Sequence, residues 1–265
     1  MVELIDVHCH LDDEAFNKDL DLVIENARKT GVIKIITSCI YEKSIQRTEE
    51  ITEKYKGFVF STMGLDYSVL DEERIQNVMD SIRKNKDKIV GIGEVGLDFF
   101  IFRNASLQEK NKAVFKKWID FAMEVDLPLV VHSRSAGKYA IEILIRSGIE
   151  KVLMHAFDGS VGYAIQGAKH GFYFSIPPSI VRSEQKQKLA KHLSLENLML
   201  ESDSPVLGPE RGIRNTPSNV IISAGMISKL KKIPIQELSS SLTFLFSASN
   251  FSAFLPKINS ILFFS

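Results

Sequence analysis

An excess of charge of one sign is missing from this chain. Its 33 lysines and arginines are matched by 33 aspartates and glutamates, so 265 residues carry no net charge. No strong field therefore draws in nucleic acid or an anionic membrane, and a nucleic-acid substrate would have to be held by local positive charge. Cysteine is scarce. The two present, Cys9 and Cys39, make no disulfide framework, which fits a reducing, cytoplasmic setting. Long hydrophobic runs are absent too. The most apolar stretch, residues 242–265, is rich in phenylalanine but is broken by Pro256, Lys257 and Asn259, short of the ~20 apolar residues a membrane span needs. It reads as a final packing helix and an apolar tail. Glu3 and Asp6 stand where a secretory leader would be basic, so no leader is expected. Gly/Ser linkers, charge blocks and low-complexity tracts are lacking, and one domain over residues 1–265 is expected, with no membrane attachment and no obligate protein partner.

What remains is an alternation of short apolar runs and amphipathic stretches. Strands are predicted over 4–8, 33–37, 59–63, 89–94, 129–132, 151–155, 173–175 and 198–201. Helices are predicted over 17–30, 43–56, 72–86, 107–126, 136–147, 161–170, 183–193, 217–231 and 235–248. Short Val/Ile/Leu runs separated by helices are the pattern of a parallel sheet buried on both faces. Eight such strands suffice to close a (β/α)8 TIM barrel, and the chain length suits one. Within 107–126, Ser106 and Glu109 form a capping-box pattern, and Leu107, Val114, Trp118, Ile119, Ala122 and Met123 recur at helical spacing. Gly148 is placed to end the following helix in a left-handed conformation.

The chemistry-bearing residues stand where the apolar runs end. In such a barrel these ends converge on one mouth, where active sites lie. His8 and His10 are one residue apart and share a strand face, so together they can clamp a metal ion; the alternative is a pair of surface or core histidines. Glu94 sits in Gly91-Ile92-Gly93-Glu94-Val95-Gly96-Leu97-Asp98. A carboxylate in so apolar a setting needs a cation, either a metal or a neighbouring Arg or Lys. His132 and His155 each follow an apolar run, as ligands or as hydrogen-bonded core residues. Asp203 leads from a strand into a loop, where it can ligate a metal and orient or deprotonate a water. Glu94 and Asp203 are thus the candidate catalytic carboxylates. His170 and His192 fall late in helices and read as structural or surface groups. Cys9 alternates away from His8 and His10 and reads as a small buried residue; a Cys–His nucleophile is the weaker alternative.

These clusters, in this order, resemble the TatD family of metal-dependent deoxyribonucleases, within the amidohydrolase-like α/β barrels. The family pattern D-x-H-x-H-L, G-E-[IV]-G-L-D, H-x-R, a further strand-end His, E-[TS]-D-[AS]-P and R-G-x-R-N is met at Asp6–Leu11, Gly93–Asp98, His132–Arg134, His155, Glu201–Pro205 and Arg211–Asn215. The resemblance implies two divalent metal ions (Mg2+, Zn2+ or Mn2+). One would be held by His8, His10, Glu94 and Asp203, and the other by Glu94, His132 and His155, with Glu94 bridging. It implies phosphate contacts from Arg134, Arg211, Arg214 and Asn215, and a DNA substrate, single-stranded or at 3′ ends, trimmed 3′ to 5′. The chain departs from the pattern at three places. Gly64-Leu65-Asp66-Tyr67 replaces a G-x-H-P-H segment, Phe99 replaces a tyrosine, and Asp158 adds a carboxylate in His155-Ala156-Phe157-Asp158-Gly159. The competing functions are a related barrel hydrolase acting on a small-molecule ester, amide or aminoacyl ester, and a metal-binding barrel without turnover.

Overall fold

Each apolar run becomes a strand and each amphipathic stretch a helix. The computed structural model describes residues 2–248. Its strands are β1 (Leu4–Cys9), β2 (Val32–Cys39), β3 (Val59–Met63), β4 (Gly91–Gly96), β5 (Leu129–His132), β6 (Val152–Met154), β7 (Tyr173–Ile176) and β8 (Leu198–Leu200). They form one sheet in the order β1 to β8, with every neighbouring pair parallel. Beyond the strand ends, Asp203 N–H donates to His8 O at 2.9 Å and His10 N–H to Ser204 O at 2.8 Å. These bonds bring the end of the sheet back to its start and give the expected (β/α)8 barrel.

The helices are α1 (Leu20–Lys29), α2 (Ile45–Lys54), α3 (Glu72–Asn85), α4 (Ala105–Val125), α5 (Gly137–Ser147), α6 (Val161–Lys169), α7 (Glu184–His192), α8 (Val220–Lys231) and α9 (Ile235–Ala248). Gly148 ends α5 with φ 74°, as its position predicts. The start of α4 differs from expectation. Asn104, not Ser106, is the cap, its side chain accepting from Leu107 N–H. Asparagine caps at least as well as serine, and the earlier cap starts the helix at Ala105 rather than Leu107. Strand β4 runs two residues past Glu94, because Gly96 pairs with His132 of β5. The phenylalanine-rich tail after residue 248 lies outside the described residues.

Period-two alternation sorts the core into two layers. One interior layer takes a residue from every strand but β4: Val7, Ile36, Phe60, Val130, Leu153, Tyr173 and Met199, with Val90 just ahead of β4 in its place. The larger layer lies between sheet and helices and holds fully buried Phe115, Phe157, Phe172 and Phe174, each worth roughly 1.5–3 kcal/mol of burial. At the N-terminal end of the barrel α9 is tied to the chain just before β1. Ser239 Oγ accepts from Glu3 N–H at 2.9 Å and donates to Glu3 O at 2.6 Å. No helix among the described residues is long and apolar enough to cross a membrane.

Candidate metal centre

The alternation that builds the interior layer also aims the site. His132 and His155 lie two residues beyond interior Val130 and Leu153, so they face the barrel axis at its C-terminal mouth. In β1, Asp6 pairs with Ile35 but Cys9 pairs with Thr37, a bulge that inserts one extra residue. The bulge resets the alternation after Val7. His8 and His10 reach the mouth while Cys9 packs, fully buried, in the outer core. Glu94 is carried by β4, whose glycines let it approach β5 closely. A Cβ on Gly96 (φ 152°) would stand 2.1 Å from His132 O, and one on Gly93 (φ 145°) 2.6 Å from Val130 Cβ. Only glycine fits both.

Glu94 stands at the centre. Its Oε2 is 3.3 Å from His8 Nε2 and 3.4 Å from His10 Nε2, while its Oε1 is 2.6 Å from His132 Nδ1 and 3.1 Å from His155 Nε2. Asp203 Oδ1 lies 3.5 Å from His8 Nε2 and 3.6 Å from His10 Nε2. The Asp203 backbone is left-handed (φ 51°), a conformation aspartate tolerates, and is fixed by its N–H bond to His8 O. Three trios have their ligand atoms within 4.8 Å of one another: His8, His10 and Glu94; His8, His155 and Asp203; Glu94, His132 and His155. His8 Nε2 and His132 Nδ1 are buried and, although Glu94 oxygens stand 3.3 and 2.6 Å away, neither nitrogen has an aligned hydrogen bond. Orphaned imidazole nitrogens crowded against carboxylate oxygens fit divalent metal ions, and the mixed N/O set suits zinc, manganese or magnesium.

The other nitrogens of three rings are spoken for. His10 Nδ1–H donates to Ser38 O at 2.9 Å, His132 Nε2 faces Asp98 Oδ2 at 3.1 Å, and His155 Nδ1 faces Glu201 Oε2 at 3.3 Å. In the neutral ring these acceptors hold the proton on that nitrogen, so that the inner nitrogen is the one able to ligate. Burial opposes the charged form of His10, but the carboxylates of Asp203 and Glu94 outweigh it and raise its pKa well above 6.5. His155 is raised likewise by Glu94, Glu201 and Asp203 against burial. Burial would push Glu94 and Asp203 up, yet the surrounding imidazoles draw both below the ordinary carboxylate range. Under the site, burial lifts the Asp6 carboxyl to about 8 despite the hydrogen bonds Ser202 gives it.

Of the expected substrate contacts, Arg134 stands exposed two residues past His132, its guanidinium 3.8 Å over the Phe100 ring. Arg211 is exposed on the loop that lines a 500 Å³ cavity with Pro205, Val206 and Arg182. Arg214 and Asn215 are not brought to the cluster. Arg214 forks onto Asp19 over the Phe16 ring, and buried Asn215 donates to Ser202 O and Val206 O while accepting from Asn219. Both are spent on holding the loop that carries Asp203. The added carboxylates are also engaged, Asp158 by Ser135 N–H and Asp66 by Ser68 and Tyr41.

Sequence reasoning assigned no role to several residues that shape the site. Glu201 is fully buried and accepts from Ser175 Oγ at 2.6 Å and Ala156 N–H at 2.9 Å besides facing His155. Asn111, on the buried face of α4, spans the loops after β3 and β4 by bonding Tyr67 O, Gly96 O and Asp98 N–H. Tyr67 lies flat on His132, ring centroids 3.6 Å apart. Lys186 is buried and donates to Ala156 O and Phe157 O, burial pushing its pKa down to about 8. Asp98 and Glu201 were visible as motif residues; an asparagine inside an apolar helix stripe was the available signal for Asn111.

An eight-stranded parallel barrel with a buried His/Glu/Asp cluster at its C-terminal mouth defines the class of metal-dependent barrel hydrolases. Within that class the chain belongs to the family described as TatD related DNase, whose sequence model matches residues 5–248. It is 40% identical over 248 residues to the Homo sapiens protein named Deoxyribonuclease TATDN3, covering 89% of this chain and 90% of that one. It is 34% identical over 239 residues to the uncharacterized metal-dependent hydrolase MJ1582 of Methanocaldococcus jannaschii, covering 89% and 92%. Among solved structures, the TatD homologue YJJV of Escherichia coli K12 matches with TM-score 0.84 over 92% of this chain and 96% of that one, at 24% identity, a likeness of fold. The family read from the ordered motifs is borne out.

Proposed function

We propose that this enzyme hydrolyses phosphodiester bonds of DNA, trimming single-stranded 3′ ends, with two divalent cations held on either side of Glu94. His8, His10, Glu94 and Asp203 would hold one, and Glu94, His132 and His155 the other. The observation that carries this reading is that the two oxygens of one carboxylate face two separate pairs of histidines. Bound there, the cations would supply Lewis acidity, activating water and neutralising charge on the phosphate.

The remaining chemistry belongs to the chain's own groups. Asp203, kept ionised by the imidazoles around it, accepts a hydrogen bond from the attacking water and orients it. Arg134, exposed at the mouth over the Phe100 ring, offers a planar fork to the non-bridging oxygens of the phosphate, and Arg211, exposed on the loop after β8, offers a second. Asp98 and Glu201 hold His132 and His155 in the tautomers that ligation needs. The cytoplasm is the proposed setting, supported by two buried free thiols. A related hydrolase of small esters or amides is less favoured, because relatives at 40% identity are named as deoxyribonucleases.

The test is release of nucleotides from 5′-labelled single-stranded DNA, with EDTA and with Mg2+, Mn2+ or Zn2+ restored. A ladder shortening from the 3′ end only with metal supports the proposal. An intact strand with every metal, while a small ester or amide is turned over, would contradict it.

A further inference from the structure

The sequence Asp98-Phe99-Phe100-Ile101-Phe102-Arg103 is apolar for a loop, and only part of it is buried. Phe102 is 7% exposed, but Phe100 and Ile101 are each 47% exposed. Large apolar groups held open beside an active site mark a surface that something covers. The loop is not slack. Asp98 Oδ1 accepts both Phe100 N–H and Ile101 N–H at 2.9 Å, Arg103 Nε donates to Phe100 O at 3.2 Å, and Gln108 holds Phe102 O at 3.0 Å. The same Asp98 carboxylate faces His132 with its other oxygen, so one group fixes both a candidate ligand and the aromatic loop.

A second segment, at the start of α5, completes the surface. Phe99 N–H donates to Arg134 O at 3.0 Å, and the rings of Phe99 and 40%-exposed Tyr139 lie 5.2 Å apart. Cations alternate with these rings. The guanidiniums of Arg134 and Arg103 are 3.8 and 5.3 Å from the Phe100 ring, and the ammoniums of Lys112 and Lys138 are 4.6 and 5.8 Å from that of Tyr139. Facing carboxylates answer part of this charge. Glu109 pairs with Lys112, Glu142 acts on Lys138, and Asp158 is spent on Ser135 N–H. Asp98 feels the charge of Arg134, but among the described residues neither Arg103 nor Arg134 lies within 4 Å of a carboxylate oxygen. In a chain with no net charge, this is positive charge placed locally.

We infer that the surface built from the segments after β4 and β5 is a track for single-stranded DNA, stacking bases on Phe100 and Tyr139 while Arg103 and Lys138 meet phosphates. Fixed aromatic faces interleaved with cations match the repeat of an unpaired strand, whereas a duplex hides its base faces. The track begins at Asp98 and Arg134, beside the metal centre, and so leads the strand out from the scissile phosphate. It rests on the phosphodiesterase reading above.

The test separates binding from turnover. Affinity of the metal-loaded enzyme is measured by fluorescence anisotropy on a hydrolysis-resistant phosphorothioate strand of twelve nucleotides. Hydrolysis is measured on unmodified strands of twelve and of three. The double variant F100A/Y139A removes two exposed rings and leaves the core intact. Its affinity for the long strand is expected to fall roughly tenfold or more, and the ratio of kcat/KM for long over short strands to fall with it. The variant R103Q/K138Q should flatten the plot of log affinity against log salt by about 1.4, some 0.7 per lost cation. Wild-type affinity and salt slope in both variants would overturn the track and assign the surface to a protein partner. Failure of the wild-type enzyme to cleave any DNA, with the phosphorothioate still bound through these residues, would instead sink the proposed reaction and leave the track standing.

Discussion

Glu201→Gln is a nearly isosteric change with an outcome that follows from counting donors. Three donors converge on the two oxygens of Glu201: Ser175 Oγ–H at 2.6 Å, Ala156 N–H at 2.9 Å and His155 Nδ1–H at 3.3 Å. Glutamine offers one oxygen and one NH2 group. Ala156 N–H can only donate, so the amide oxygen stays with it. The NH2 then meets Ser175, whose hydroxyl can turn round to accept, and His155 Nδ1, which can accept only by losing its proton. The proton moves to Nε2, the atom that faces Glu94 Oε1 at 3.1 Å and that a metal would need. The fold survives, since the three charge-assisted bonds are exchanged for neutral ones while the cost of burying a charge is removed with them, a net loss of about 1–2 kcal/mol. Metal affinity on the His132–His155 side is expected to fall 10–100-fold, about 1.4–2.7 kcal/mol. Isothermal titration of the metal-free variant, with a thermal melt as the control for folding, measures both. Two sites of wild-type affinity in E201Q would refute the argument.

Glu94→Gln should leave the barrel folded but abolish hydrolysis, with kcat/KM lower by roughly 10³-fold, several kcal/mol, because both halves of the centre share that carboxylate; turnover of single-stranded DNA within tenfold of wild type would contradict the bridging role. Metal uptake should release protons. In the metal-free protein the carboxylates raise His10 and His155 above 6.5, so that their stabilisation is full below 6.5 and is lost as pH rises through the raised values. Ligation needs neutral rings, so apparent affinity should climb with pH over the same window. Titration calorimetry in two buffers of different ionisation heat checks this, and an identical heat in both at pH 7 would contradict it. Gly96→Ala places a Cβ 2.1 Å from His132 O; a loss of about 3 kcal/mol is expected, and a thermal melt unchanged within one degree would show that β4 and β5 do not meet this closely.

Much of the site was legible because the strand period and the barrel topology do the placing. A histidine that closes an apolar run lies at a strand end, so His132 and His155 were readable as mouth residues, while the face they take follows from Val130 and Leu153 lying in the interior layer. The glycines around Glu94 are what a closely approached backbone requires, and the structure shows the approaching strand to be β5. Local sequence could not tell what a loop group is spent on. Arg214 and Asn215 carry the right chemistry for phosphate, yet Asp19 and the carbonyls of Ser202 and Val206 claim them first. Nor could it give roles to Glu201, Asn111 or Lys186, whose partners His155, Tyr67 and Ala156 lie 46, 44 and 30 residues away and meet them only after the barrel closes. The stacking of Tyr67 on His132 carried no sequence signal, because it depends on where the loop after β3 falls.

The central claim is that Glu94 stands between two metal ions. Anomalous diffraction from crystals soaked in Mn2+, recorded above and below the manganese edge, tests it most directly. The account predicts two peaks at the barrel mouth, one beside His8, His10 and Asp203 and one beside His132 and His155, each next to a different oxygen of Glu94. A single peak, or a pair in which Glu94 touches only one, would contradict it.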